Sequence, residues 1–127
     1  MKTNSKLTDS EWKIIDVLWE DSPRTLRQII DSVYERTGWS KHTVISFLKR
    51  MEQKGSIIAE DSKPAKLYYA AVDKQSVVSN ETDYMLRKLY GGNSALLVSN
   101  MAVKLSSDDI EEMIAILQNA KKDSENE

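Results

Sequence analysis

The sequence predicts a mainly α fold with a small antiparallel sheet in its first half. Three observations carry that expectation. Apolar residues recur at helical spacing in three successive segments, each led by a capping residue. The period then changes to two short strand-like runs around a turn holding Lys63, Pro64 and Lys66. Helical spacing returns beyond Val72 and continues almost to the end. The 127 residues suffice for one compact domain or two very small ones.

The first helix begins at a capping box, with Thr8 as N-cap and Glu11 three positions on. Trp12, Ile15 and Trp19, with Ile14 and Leu18 beside them, give its apolar face. Asp21-Ser22-Pro23 ends it. Arg24 and Thr25 are short enough to add only one or two residues to a sheet. Thr25 with Gln28 then repeats the capping box, and Leu26, Ile29, Ile30 and Val33 carry the second helix to Thr37-Gly38.

The third helix holds most of the information. Ser40 is its expected N-cap, and Trp39 before it is placed to staple onto Val44. Val44, Phe47, Leu48 and Met51 fall at i, i+3, i+4 and i+7, which predicts one buried stripe ending at Gly55. At about 100° per residue the opposite face carries His42, Ser46, Lys49 and Gln53. Thr43, Ile45 and Arg50 flank that face. It holds no acid. Small hydroxyls, an amide and flanking cations suit base edges and phosphates in a major groove.

Ser56–Glu60 and Leu67–Ala71 read as strands, joined by a turn over 61–66. Three helices followed by a basic-tipped hairpin give the order of a winged helix-turn-helix, expected to span 1–72. In that fold the third helix enters the groove and the hairpin wing meets the backbone.

A fourth helix is expected from an Asp73 cap to about Tyr90, with Val77, Val78, Tyr84, Met85, Leu86 and Leu89 apolar. Gly91-Gly92-Asn93 breaks it. Ala95–Val103 is a short apolar helix. Ser106 to Asp109 opens a last one, its acids in the first turn where the helix dipole favours them. Ile110, Met113, Ile114 and Leu117 form its stripe, and the polar tail 121–127 is expected to fray. About 50 residues cannot satisfy so much apolar surface alone. Residues 73–127 are therefore expected to be a dimerisation module. Leu86, Leu89, Leu96, Leu97, Met101, Ile110, Met113, Ile114 and Leu117 are its expected contacts.

The formal net charge is −2. Residues 1–72 hold 12 basic and 10 acidic side chains, and residues 73–127 hold 6 and 10. Within 36–66 seven bases face three acids. A basic patch on an acidic body fits a small nucleic-acid-binding regulator as well as a chance imbalance on a solvated face. With no cysteine, disulfides, zinc fingers and thiol chemistry are excluded. No apolar run of ~18 residues predicts a membrane span. The polar N-terminus shows no signal peptide, so a cytoplasmic location is expected.

His42 is the sole histidine, and no triad or metal set assembles around it. No Gly-rich phosphate loop occurs. Trp12, Trp19 and Trp39 suit core packing better than a base-stacking platform. No enzyme activity, metal or cofactor is expected.

Several motifs together resemble the penicillinase-repressor (BlaI/MecI/CopY) family over residues 7–122. They are Leu7-Thr8-Asp9-Ser10-Glu11-Trp12, Val17-Leu18-Trp19, Trp39 to Val44, Phe47 to Met51, Lys54-Gly55 and Leu67-Tyr68-Tyr69. The resemblance implies a dimeric transcriptional repressor that binds palindromic operators with TACA/TGTA-type half-sites near promoters of resistance genes. It also implies a sensor-linked membrane protease as partner, cutting after an Asn in the dimerisation region. The matching positions are Asn100 and Met101, with Met where the family has Phe. Ile45 stands where the family often carries Arg, the usual reader of guanine. The copper-responsive branch uses C-terminal cysteines, so thiolate copper sensing is excluded here.

The expected DNA contacts are base readout by Thr43 and Ser46, with Ile45 able to meet a thymine methyl. His42, Lys49, Arg50, Lys63 and Lys66 would hold phosphates. Two other readings stay open. One is a winged-helix protein-interaction module working through the acidic C-terminal half. The other is a regulator with a small-molecule pocket near Met85, Met101 and Met113.

Overall fold

The structure is a computed structural model and describes residues 6–126. Among these residues the order is α1 (Asp9–Glu20), β1 (Arg24–Thr25), α2 (Leu26–Thr37), α3 (Lys41–Lys54), β2 (Ile57–Glu60), β3 (Leu67–Ala70), α4 (Lys74–Tyr90), α5 (Ser94–Ala102) and α6 (Ser107–Glu125). The chain packs as two compact units, Met1–Val78 and Ser79–Glu127, which divide inside α4.

The helix starts are set by their caps. Thr8 and Glu11 form a reciprocal capping box on α1, and Thr25 and Gln28 form another on α2. The Ser40 hydroxyl accepts the Thr43 amide of α3 at 3.3 Å. Gly38 (φ 75°) and Gly55 (φ 87°) end α2 and α3 in the left-handed region, where a side chain would be strained. After Gly55 the Ser56 amide returns to the Met51 carbonyl at 3.0 Å, and the chain enters β2. The sheet order is β1-β3-β2, all antiparallel, with Ile57 opposite Ala70 and Arg24 opposite Tyr68. Even the two-residue β1 finds its partner.

One apolar core holds these pieces together. Ile14, Ile15, Val17 and Leu18 come from α1, and Ile29 and Val33 from α2. Val44, Leu48 and Met51 come from α3, and Ile57 from β2; none of these residues exceeds 2% exposure. Phe47, expected in the buried stripe, is only half-buried. The Trp39 ring stacks on it at 5.4 Å, while Val44, its expected staple partner, is sealed in the core. Trp12 and Trp19 meet edge to face at 5.5 Å against the same core. Trp19 Nε1 donates to the Val72 carbonyl at 2.9 Å, tying the end of the hairpin to α1.

A charged pair lies at the edge of this core. Glu11 is wholly buried, and its Oε1 accepts from the Thr8 amide at 3.0 Å and from Lys54 Nζ at 2.6 Å. Lys54 also donates to the Lys6 carbonyl at 2.9 Å. Burial pushes the Glu11 carboxyl upward. The Lys54 hydrogen bond, the Thr8 amide and the Lys54 charge together outweigh it and hold the group below its ordinary 4.5.

Asp73 opens α4 by accepting from the Ser76 amide and hydroxyl, both at 3.1 Å. Val77 in its first turns still packs on the core of the first unit. In the second unit Asn93 caps α5 and Ser106 caps α6. The last helix continues to Glu125, past the point where the tail is expected to fray. Lys122 sits in its final turn, where the helix dipole favours a cation, and the Asn126 amide bonds the Lys122 carbonyl at 3.2 Å. No residue of α4, α5 or α6 is buried. Among the described residues no helix is long and apolar enough to cross a membrane.

The lowered Glu11 value makes folding pH-dependent. A depressed carboxyl stabilises the fold above its ordinary 4.5, and that contribution is lost as pH falls through the lower native value. Thermal unfolding followed from neutral pH down through this range should show a falling midpoint, with a shallower fall in Glu11→Gln. Glu20, paired with Arg36 on the surface, is lowered in the same sense, so part of the slope should persist in the variant and flatten with added salt. An unchanged slope in Glu11→Gln would contradict the assignment.

Candidate nucleic-acid interface

The buried stripe of α3 decides what its other side presents. With Val44, Leu48 and Met51 turned inward, His42, Ser46, Lys49 and Gln53 are exposed, and Lys41, Arg50 and the acidic Glu52 are exposed at the margins. The cap changes the standing of Thr43. Its hydroxyl lies 3.1 Å from the Ser40 hydroxyl and the residue is half-buried. Of the two hydroxyls expected at base edges, Ser46 is therefore the open one. Ile45 is half-buried at the flank.

The aromatic residues beside α3 support cations. The Arg50 guanidinium lies 5.5 Å from the centre of the Phe47 ring, and the Trp39 ring stacks on Phe47 as well. Lys13 of α1 lies 5.9 Å over Trp39. Lys13 was not legible as a member of this surface. It stands 26 positions before Trp39 and follows no shared period.

The seven bases counted over 36–66 do not all face outward alike. Arg36 is bonded to Glu20, and Lys54 is drawn back to Glu11 with 23% of its side chain exposed. Lys41, Lys49, Arg50, Lys63 and Lys66 are exposed. The last two lie in the turn joining β2 to β3, next to the exposed Glu60 and Asp61. Arg24 is occupied at the base of the sheet, donating to the Asp21 carbonyl at 3.0 Å and the Ser32 hydroxyl at 2.9 Å.

In the second unit, considered by itself, the expected contact residues are largely open to solvent. Leu89 is 62% exposed, Leu96 54%, and Ile114 and Leu117 50% each, with Met101 and Ile110 at 39%. Leu86, Leu97 and Met113 are half-buried. Val103 and Ile116, not singled out in the sequence, are exposed as well. An open cleft of about 640 Å³ is lined by Leu89, Tyr90, Leu96, Ser99, Asn100 and Val103. None of Met85, Met101 and Met113 lines it. Asn100 and Met101 lie inside α5, and Asn100 Nδ2 donates to the Tyr90 hydroxyl at 2.8 Å. Among the described residues no group of three or more acids or histidines is placed to hold a metal ion.

A sequence model of the penicillinase repressor family matches residues 7–119. The penicillinase repressor of Bacillus licheniformis is 24% identical over 123 residues, covering 95% of this chain and 96% of its own. That of Staphylococcus aureus is 24% identical over 119 residues, covering 92% and 94%. Monomeric BlaI of Bacillus licheniformis, solved in complex with the blaP half-operator, shares the fold with a TM-score of 0.52 at 21% identity, over 56% of this chain and 87% of that one. With the helix order, the hairpin and the basic α3 face on one scaffold, the chain belongs to the penicillinase repressor family of DNA-binding winged-helix regulators.

Proposed function

We propose that the chain is a homodimeric, cytoplasmic repressor that reads a palindromic operator through α3 and the hairpin wing. The observation that carries this reading is the acid-free outer face of α3, with Ser46 and Lys49 exposed above a sealed apolar stripe. Residues 1–72 bind DNA and residues 73–127 join two copies. Ser46 meets base edges, with Thr43 and Ile45 at its flanks. His42, Lys49, Arg50, Lys63 and Lys66 hold phosphates and set the register on the duplex. The monomeric BlaI complex with a half-operator supports one protomer per half-site.

Two third helices presented to successive major grooves would lie roughly 34 Å apart, one turn of DNA. The exposed Leu89, Leu96, Ile110, Ile114 and Leu117 support pairing of two copies, because so much open apolar surface on small helices is costly in water. Leu86, Leu97, Met101 and Met113 extend that surface. Repression follows from occluding the promoter. Separation of the protomers forfeits the effective concentration that couples the half-sites. Proteolysis between Asn100 and Met101 by a sensor-linked protease would have that effect. Because the bond lies inside α5 and Asn100 is held by Tyr90, the helix must open locally before a protease can take it as an extended segment.

Fluorescence anisotropy against a TACA/TGTA palindrome and a scrambled duplex, over a range of salt, tests the reading. Tight sequence-dependent binding at two protomers per site is the expected result; equal weak binding to both duplexes, with no preferred sequence in a selection from random duplexes, would sink it. Lys49→Ala should weaken binding to every duplex and reduce the salt slope by about 1, at a stability within about 0.5 kcal/mol of the parent. Loss at a single operator position would remove Lys49 from the phosphate set. Ile114→Asp should sediment as a monomer, keep its half-site affinity and lose about 10² in affinity for the full palindrome. A dimeric Ile114→Asp chain would exclude this face from the interface.

A further inference from the structure

Lys54 is the last residue of α3, and three positions later, at Ile57, the chain enters the first strand of the wing. Gly55 makes the turn at φ 87°, and the Ser56 amide and hydroxyl both return to the Met51 carbonyl. On the other side of this joint the Ala71 amide donates to the Ser56 carbonyl at 2.9 Å. The angle between the recognition helix and the wing is therefore set over a few residues. Lys54 Nζ leaves this joint for the start of α1, where it bonds Glu11 Oε1 and the carbonyl of Lys6, which precedes the helix.

Capping alone does not account for the placement of Glu11. A capping-box glutamate works on a helix surface, needing only the amide of the N-cap. Here the carboxylate is wholly buried, one oxygen serves both Thr8 and Lys54, and among the described residues Oε2 accepts no hydrogen bond. Apolar side chains of similar volume are often as stabilising as a buried ion pair or more so. What they lack is direction. Packed hydrocarbon lets two helices slide by fractions of an ångström, whereas a 2.6 Å charged hydrogen bond fixes where the end of α3 sits on the start of α1.

We propose that Glu11 and Lys54 are a positioning pair, holding the end of α3 against α1 so that recognition helix and wing engage an operator in one register. This inference rests on the reading of α3 as the DNA-binding element. Lys54 serves specificity from behind the interface and is not one of the phosphate contacts.

The test uses the full chain and a duplex enriched by the wild type from a random pool, beside a scrambled duplex. Glu11→Leu combined with Lys54→Met removes the pair without changing net charge. The expected result is a folded chain whose unfolding midpoint stays close to the parent's, the lost Thr8 cap bond offsetting what apolar packing gains, and an unchanged affinity and salt slope on scrambled DNA. The affinity for the enriched duplex should fall about tenfold, a difference of one decade in the specific-to-non-specific ratio. A folded double variant with the parent's ratio overturns the positioning role. Glu11→Gln keeps an acceptor for Thr8 and is the second probe should the double variant not fold; its ratio should fall by a smaller factor, and an unchanged ratio again overturns the proposal. Lys54→Arg retains a cation for Glu11 and should retain most of the ratio; a fall as large as the double variant's would count against the pair. A wild-type chain that enriches no sequence overturns the DNA-binding reading itself, and the proposal with it.

Discussion

Val44, Leu48 and Met51 are sealed against residues of α1 and α2, and this burial determines how α3 is rotated in the first unit. The hydrophobic effect has no direction of its own. Applied to a helix with a narrow apolar stripe, it nonetheless leaves one rotation in which the stripe is dry. Everything the opposite face presents follows from that rotation. His42, Ser46, Lys49 and Gln53 are exposed because their neighbours at helical spacing are not. Removing methylenes from the stripe would cost about 2–5 kcal/mol and loosen the same face.

Charge acts in two different ways in this unit. Lys49, Arg50, Lys63 and Lys66 are exposed, well solvated and contribute little to stability, which leaves them available to phosphates. Glu11 and Lys54 form the opposite case. Their attraction works in a poorly solvated place, where desolvation is large and only close hydrogen bonds offset it. A formal count of bases over 36–66 treats Lys54 and Lys49 as equals, although the fold assigns one to the interior joint and the other to the outer face.

The second unit has a different character. Its helices are well capped, but none of their residues is buried. Local signals are enough to form α5 and α6, while the apolar faces of these helices remain in contact with water in a single chain. The first unit, by contrast, closes its core with residues from four of its elements. Such a division closes one core within the chain, while the proposed pairing of two copies would cover the apolar faces of the other half, an arrangement that suits regulation through association.

Local physics made much of this legible in the sequence. Thr8 with Glu11 and Thr25 with Gln28 start helices wherever they occur, because the first-turn amides need acceptors. Gly38 and Gly55 end helices because they tolerate positive φ, and the α3 stripe is visible because its period is the helix's own. Other features depend on residues far apart along the chain, which no window of sequence brings together. The Glu11–Lys54 bond spans 43 positions and the Trp19–Val72 bond 53. Phe47 looked like a fully buried core residue; it is half-buried at the core's edge, where Trp39 stacks on it and Arg50 lies 5.5 Å from its ring centre. Thr43 looked like a reader of bases and shares its hydroxyl with the Ser40 cap. The sequence by itself determined the helices, their caps and the face of α3 that meets solvent, since each depends on neighbours within a turn. Only the tertiary structure decided which cations remain at that face, because a lysine's partner is whichever carboxylate the packed core brings within about 3 Å.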